Sequence, residues 1–342
     1  MLRLAQKHEF FRHKQLLNNN LKNRRNLVIV IPSFNDWLAL EKLLQLIDNI
    51  SLPEGTYIEV VIVDDFSTIS IPESLNHQEH HHIQAVNILR LRRNVGHQRA
   101  IAVGLCYVYK NFNCDFVVVM DGDGEDNPFE IEHLLNISDQ TGNNKIIFAR
   151  RSKRSENCTF KFFYFIYKNL YKLLVGTEIS VGNFSLLPAS LVKNVVVISE
   201  IWNHYSSGIY RSRIPYLEVN VPRAKRLAGQ PKMNLVSLVT HGLSSIAVNG
   251  DIVGTKLLLI IIILLILCLL ILCSVFIIRV STDWAIPGWA TYVCSFLILF
   301  LVQLILTGTV FSMIILSSRN HYNFIPVRDY KYYVDAFFQL KP

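Results

Sequence analysis

Val117-Val118-Val119-Met120-Asp121-Gly122-Asp123-Gly124-Glu125-Asp126-Asn127-Pro128 runs an apolar stretch into four acids, two glycines and a closing proline. A short continuous apolar run bounded by turn residues reads as a buried strand of a parallel sheet. Open α/β sheets bind ligands at the carboxyl ends of their strands, where these acids fall. At a turn, the Asp121 and Asp123 carboxylates can reach one hard cation, and Mg²⁺ or Mn²⁺ prefers such oxygens together with substrate phosphates. Taken alone, the Asp-x-Asp pattern reads equally as a solvated acidic turn.

Working outward, the same strand-then-turn pattern recurs. Leu27 to Ile31 is an apolar strand stopped by Pro32, and a helix follows from Trp37 to Ile50 with Leu40, Leu43, Leu44 and Ile47 on one face. Tyr57 to Val63 ends in Asp64-Asp65. Val86 to Leu91 leads through Arg92 to Gln98 into a helix from Arg99 to Lys110. Asp115 to Met120 is the fourth strand, with a helix starting near Pro128, a favoured first helical residue. Lys145 to Ala149 is the fifth. Strands alternating with helices predict an α/β fold with a doubly wound, mostly parallel sheet. Neither G-x-G-x-x-G nor a Walker A pattern is present, which disfavours a dinucleotide dehydrogenase or a P-loop enzyme. His77 to His82 (HQEHHH) reads as a charged loop without a structured partner rather than as a metal site.

The 342 residues are 51% hydrophobic with a mean hydropathy of +0.30, and the excess is local. Residues 257–278 carry no charge, and residues 289–316 form a second apolar run. Each exceeds the roughly 20 apolar residues needed to span a bilayer core of about 30 Å. Two transmembrane helices joined by a short loop are expected, with Trp284 and Trp289 at an interface. Lys and Arg before Leu257, with Arg319, Arg328 and Lys331 after the second span, put both chain ends and the α/β domain in the cytoplasm, and the membrane is expected to be a bacterial inner membrane. A net charge of +8 and a pI near 9.1 suit anionic membrane lipids and phosphorylated substrates. No nucleic-acid recognition module appears, so nucleic acid is not expected as a partner. Six scattered cysteines without a C-x-x-C pair indicate neither a zinc site nor a disulfide framework.

The expected organisation is a basic N-terminal arm (1–26), an α/β domain (27–233), an amphipathic juxtamembrane segment (234–256), the two spans, and a cytoplasmic tail (317–342). The aromatic and basic stretch from Phe160 to Val175 reads either as an interfacial segment or as a helix packed on the sheet.

Four motifs in order carry a resemblance: Ile31-Pro32-Ser33-Phe34-Asn35-Asp36, Val63-Asp64-Asp65-Phe66-Ser67, Arg93-Asn94-Val95-Gly96-His97-Gln98, and Asp121 to Pro128. They resemble V-P-x-Y-N-E, V-D-D-G-S, R-N-x-G-x-x and D-x-D-L-Q-D-P-P of the family 2 glycosyltransferases, which have the GT-A fold. The membrane-anchored branch, with dolichyl-phosphate mannose synthases and bacterial undecaprenyl-phosphate glucosyltransferases, is the most similar. The resemblance covers about Leu27 to Val253. It implies transfer of a single sugar, with inversion, from a nucleotide-sugar donor to a polyprenyl phosphate. A lipid-linked saccharide or another cell-envelope glycan is the alternative acceptor, and a non-catalytic nucleotide-binding scaffold a further alternative.

By resemblance, the Pro32–Asp36 turn and Asp65 hold the nucleoside, and Asn94 and Gly96 open a helix toward the same crevice. Asp121 and Asp123 are implied ligands of Mg²⁺ or Mn²⁺ at the diphosphate. Arg223, Arg226 and Lys232 lie in a stretch similar to R-x-x-R-x-x-G-x-x-K-[YFM]-N, and they would clamp a diphosphate or lipid phosphate. Read from the residues alone, that stretch is also a basic juxtamembrane patch attracted to anionic lipid, and the two readings are compatible.

Two departures stand out. Gly182-Asn183-Phe184-Ser185 replaces G-D-F-R, so the acceptor-site position Asn183 cannot take a proton. A phosphate acceptor needs no base, whereas a hydroxyl acceptor does, and Glu200 is then the candidate. Phe66 replaces the usual Gly. The Q-x-x-R-W motif of processive members is absent. Self-association into a homo-oligomer stays open.

Overall fold

The computed structural model describes residues 24–76, 78–151, 169, 172–176, 181–229, 235–281, 288–320 and 324–340. It divides into two units: residues 1–155, 179–244 and 324–342, and residues 156–178 and 245–323.

In the first unit, strand β1 (Arg25–Ser33) pairs in parallel with both β2 (Thr56–Asp64) and β4 (Phe116–Val119), and β2 pairs in parallel with β3 (Ile83–Leu91). Both faces of these strands are covered, so β1 (Leu27–Ile31), β2 (Val60–Val63) and β4 carry unbroken apolar runs, whereas β3 is interrupted by Gln84, Asn87 and Arg90. Leu27, Ile29 and Ile31 of β1 point into one cluster, with Leu40, Leu43, Leu44 and Ile47 of helix α1 (Trp37–Asp48). Val28 and Val30 point into the opposite cluster, with Ala100, Ile101 and Val103 of helix α3 (His97–Asn111). Helix α4 (Glu130–Gln140) packs Ile131, Leu134 and Leu135 beside α1 in the first cluster. The sheet is therefore doubly wound. At Gly104, α3 lies so close to the sheet that a Cβ would stand 2.6 Å from Val63 and 2.7 Å from Val30.

Eight described strands form the sheet in the order β7-β5-β6-β4-β1-β2-β3-β8. Strands β5 (Ile146–Arg151) and β7 (Tyr216–Val221) are parallel to each other. Strand β6 (Ser185–Pro188) lies between β4 and β5, antiparallel to both. Helix α5 (Ala189–Val195), a 3₁₀ turn at Ser199–Trp202 and helix α6 (Tyr205–Ser212) follow it. The segment expected as a tail returns to the sheet, where β8 (Val334–Gln339) pairs antiparallel with β3. Trp202, Phe324 and Tyr333 stack together, and Arg92 donates to the Val334 carbonyl at 2.8 Å. Residues 317–342 therefore hold a structural strand as well as a tail.

The histidine-rich loop has a structured partner after all. Asp48 accepts from the N–H groups of His81, His82 and Ile83, and the His82 ring sits 2.7 Å from the Asp48 carbonyl. His77 itself lies outside the described residues. Burial alone would push the Asp48 carboxyl up, but the three N–H donors outweigh it and hold it below the ordinary range. A depressed carboxylate contributes stability above its unfolded value and loses it as pH falls through the folded one. Thermal unfolding followed from pH 6 to about pH 2 is expected to show a loss below the usual carboxylate range that Asp48→Asn flattens.

The second unit contains two 32-residue helices, α8 (Gly250–Ser281) and α9 (Trp289–Asn320), both long and apolar enough to cross a membrane. At 1.5 Å per residue each is about 48 Å long. They pack as a hairpin, with the Cys268 thiol 3.6 Å from the Leu297 carbonyl and Gly308 against Ile261. Apolar side chains such as Ile263, Leu299 and Met313 face outward over most of both helices. The expected spans lie within these bounds. Residues 1–23 of the N-terminal arm, Trp284 and most of the stretch from Phe160 to Val175 lie outside the described residues, and the last two arm residues, Arg25 and Asn26, already belong to β1.

Candidate active site

The turns after β1 and β2 are stitched into one piece. The Asn35 N–H donates to Ser67 Oγ at 2.9 Å, and Asn35 Oδ1 accepts from the N–H groups of Thr68 and Ile69. Asn35 adopts a left-handed backbone (φ 51°), which asparagine tolerates better than most residues. Pro32 is in β1, opposite Val63 of β2, so the stop seen in the sequence is an internal strand residue.

Asp65 is buried, and both of its oxygens are engaged. Oδ1 accepts from the Val95 N–H at 2.7 Å and Oδ2 from the Gly96 N–H at 2.8 Å. Burial, helped by the neighbouring Asp64, holds its carboxyl above the usual range even against those two donors. The Gly96 N–H expected to face the crevice is thus taken up by Asp65. Asn94 is exposed.

Phe66 keeps the left-handed conformation that glycine takes most cheaply (φ 65°), with its ring 46% exposed. A bulky residue there carries about 1–2 kcal/mol of backbone strain. Phe66→Gly is expected to stabilise the domain by about 1 kcal/mol, read as a rise in Tm of a few degrees.

The acidic turn follows β4. Asp121 N–H donates to Asp126 Oδ2 at 2.9 Å, and Glu125 N–H to Asp123 Oδ1 at 3.0 Å. Burial, with the Asp121 and Glu125 charges, holds Asp123 above the ordinary carboxylate range. The basic segment after β7 is seated on this turn. Ala224 N–H donates to the Glu125 carbonyl and Leu227 N–H to the Asp123 carbonyl. Gly124 has φ 82°, and a Cβ on it would stand 2.3 Å from Leu227, so this seat requires glycine. Arg223 pairs with Glu125. Arg226 donates through Nη1 to Asp123 Oδ2 at 2.9 Å, through Nη2 to Asp36, and through Nε to the Ala228 carbonyl. Lys232 lies outside the described residues.

On the other side of Asp121 stands Asn183, the expected acceptor-site position, with two partners, His97 and Gln98, to which the family motifs assign no role. His97 Nε2 is 3.0 Å from Asp121 Oδ1, Asn183 Nδ2 donates to the same oxygen at 3.3 Å, and Gln98 Nε2 donates to Asn183 Oδ1 at 3.1 Å. Gln98 also accepts from the Tyr205 N–H at 2.6 Å. The His97 ring is half exposed, and against its partial desolvation Asp121, with Asp123 and Asp126, holds it above the usual imidazole range. Both residues occupy the variable positions of the Arg93–Gln98 motif. Their signal was the placement of polar side chains in the first turn of a helix beside the acidic strand end. Glu200 is positioned differently: its carboxylate pairs with Arg211 at 3.5 Å and accepts from Ser199 Oγ. Among the described contacts none joins it to Asp121 or Asn183.

Acids from adjacent parallel strand ends, a basic segment laid across them and an amide–imidazole cluster alongside are thus brought together at one end of the sheet. Residues 28–191 match the family model described as Glycosyl transferase family 2. This stretch of the α/β unit is a family 2 glycosyltransferase domain, with a mostly parallel sheet of the GT-A type. An uncharacterized glycosyltransferase of Bacillus subtilis, YkcC, is 26% identical over 82% of this chain and 84% of its own length. The undecaprenyl-phosphate 4-deoxy-4-formamido-L-arabinose transferase of Pseudomonas aeruginosa is 32% identical over 31% of this chain and 30% of its own. Among solved structures, glucosyl-3-phosphoglycerate synthase of Mycobacterium tuberculosis, in complex with Mn²⁺, UDP-glucose and phosphoglyceric acid, aligns with a TM-score of 0.48. It is 16% identical, over 67% of this chain and 80% of that one.

Proposed function

We propose that this protein transfers a single sugar, with inversion, from a nucleotide-sugar donor to a polyprenyl phosphate at the cytoplasmic face of a membrane, with a divalent cation at the diphosphate. The observation that carries the reading is that Asp36 and Asp123, the latter two residues past Asp121 in the turn after β4, share one guanidinium, Arg226, in a family 2 domain, in a chain with two membrane-length apolar helices. The outward-facing apolar side chains of those helices suit lipid better than water. Similarity to an undecaprenyl-phosphate sugar transferase over part of the domain supports the acceptor class.

The donor set fits a cation. Among the described residues no group of three or more His, Cys, Asp or Glu converges on a single point. Mg²⁺ and Mn²⁺ in nucleotide sites take one or two carboxylates and complete their shell with phosphates and water. Asp121 and Asp123 supply such a pair, and Asp123 already has a positive charge beside it in Arg226. When bound, the cation offsets the charge that develops on the departing diphosphate.

The chain's own groups do the rest. Asp36 and the Asn35-stitched turns shape the nucleoside end, Arg223 and Arg226 provide guanidinium donors suited to phosphate oxygens, and Asp65 fixes the loop that presents His97 and Gln98. Asn183 presents an amide to Asp121, not a base. A polyprenyl phosphate, with a second pKa of about 6, is largely a dianion at neutral pH and attacks unaided.

Membranes carrying the protein, incubated with labelled nucleotide-sugars and polyprenyl phosphate, test this. A labelled lipid that mild acid hydrolyses is expected. Label found only in an acid-stable glycosidic product would overturn the acceptor assignment in favour of a hydroxyl on a lipid-linked saccharide.

A further inference from the structure

The acidic turn and its surroundings bring five carboxylates together (Asp36, Asp121, Asp123, Glu125 and Asp126), and each has a defined partner within the protein. Asp121 faces His97 and Asn183, Glu125 pairs with Arg223, and Asp126 accepts from the Asp121 N–H. Asp123 and Asp36 share one partner, the two-pronged guanidinium of Arg226. Arg226 is only 15% exposed in this position, so its charge is spent on the two acids and not on solvent.

We infer that Arg226 is the internal cation of the donor site, and that it and the divalent cation are alternative occupants of Asp123 Oδ2. This rests on the donor reading above. The reasoning is electrostatic. A cation ligated by Asp123 would lie about 2 Å from the oxygen that Arg226 now contacts at 2.9 Å. Two positive charges cannot share it without strong repulsion. A divalent cation arriving alone therefore displaces one prong of a guanidinium that is then left with Asp36 as its single acidic partner. A nucleoside diphosphate arriving alone brings negative charge against five carboxylates. Arriving together they balance: the cation takes Asp123, and Arg226 exchanges a carboxylate for a phosphate, its other natural bidentate partner.

The segment carrying Arg226 is built for such an exchange. Its seat is made by Ala224 N–H to Glu125 O, Leu227 N–H to Asp123 O, and Leu227 against Gly124, none of which uses the guanidinium. The side chain can turn while the backbone stays in place. Cation and nucleotide binding are consequently coupled, and by linkage the coupling is reciprocal.

The test uses the full chain in detergent, with free Mn²⁺ followed by its EPR signal, in the absence and presence of saturating UDP, GDP, CDP, ADP or dTDP. Wild type is expected to bind Mn²⁺ about tenfold more tightly, or better, with the diphosphate it recognises. Arg226→Gln is expected to bind Mn²⁺ alone about tenfold more tightly than wild type, and to gain less than about threefold from nucleotide. Arg226→Lys, which keeps the charge, should stay near wild type for Mn²⁺ alone. Equal Mn²⁺ affinities of wild type and Arg226→Gln, including no binding by either, overturn the exchange. So does a wild type whose Mn²⁺ affinity ignores a nucleotide that it binds. Failure of the donor reading looks different: wild type binds none of the five diphosphates, and the Mn²⁺-only comparison still judges the role of Arg226. Circular dichroism and Tm of each variant report folding, and the wild-type coupling stands as a measurement free of any substitution.

Discussion

Asp123→Ala is expected to lower kcat/KM for sugar transfer by about 10²–10³-fold, the usual loss when one preorganised electrostatic contact to a charge-developing group is removed. The loss should fall mainly on the chemical step, because charge grows on the diphosphate as the glycosidic bond breaks. Asp123 also anchors one prong of Arg226. In the variant that guanidinium keeps Asp36 as its partner, so the basic segment should remain seated and the fold intact. Asp123→Asn preserves the oxygen and the shape but not the charge, and is expected to be nearly as impaired. Initial rates with labelled donor across a Mn²⁺ titration check this. A loss below about tenfold at saturating Mn²⁺ would remove Asp123 from the cation site.

The second large effect concerns stability. Asp65→Ala leaves the Val95 and Gly96 N–H groups without their acceptors in a buried corner. Each orphaned donor costs about 1–3 kcal/mol, so a loss of roughly 2–5 kcal/mol is expected. Asp65→Asn should be nearly as damaging, since an amide offers one acceptor where two donors converge and turns an NH₂ toward the other. Thermal unfolding of the purified chain reads the effect directly. A variant that melts with wild type yet no longer binds nucleotide would instead assign Asp65 to the ligand, as the family resemblance implies.

That contrast shows where the sequence was legible. β1, β2 and β4 announce themselves because a parallel strand covered on both faces carries an unbroken apolar run, as Val117 to Met120 do. Asp121, Asp123 and the basic residues near Arg226 were found as a set, since like motifs at successive strand ends converge by topology alone. What the residues do to one another was not legible. Arg226 reads as a phosphate clamp in isolation, and its present hold on Asp36 and Asp123 depends on how the segment after β7 lies over Gly124. His97 and Gln98 sat within a quoted motif without a role, because only the fold brings the first turn of α3 against Asn183, some 86 residues away in sequence for His97. β6 is not legible because Ser185-Leu186-Leu187-Pro188 offers only two apolar residues in a row between a Ser and a Pro, whereas the equally short β4 is apolar throughout, and β8 is not because it follows two apolar helices that read as the end of the folded part.

The position of β8 bears on how the chain is made. Its partner β3 is complete once Leu91 has been synthesised, but the strand that pairs with its outer edge begins only at Val334. Throughout the intervening synthesis, which includes both membrane-length helices, that edge has no native neighbour. An unprotected strand edge is a template for the wrong partner. A nascent chain stalled in the second apolar helix would thus present an open sheet margin to chaperones and to other nascent copies, until β8, made after both helices, closes it.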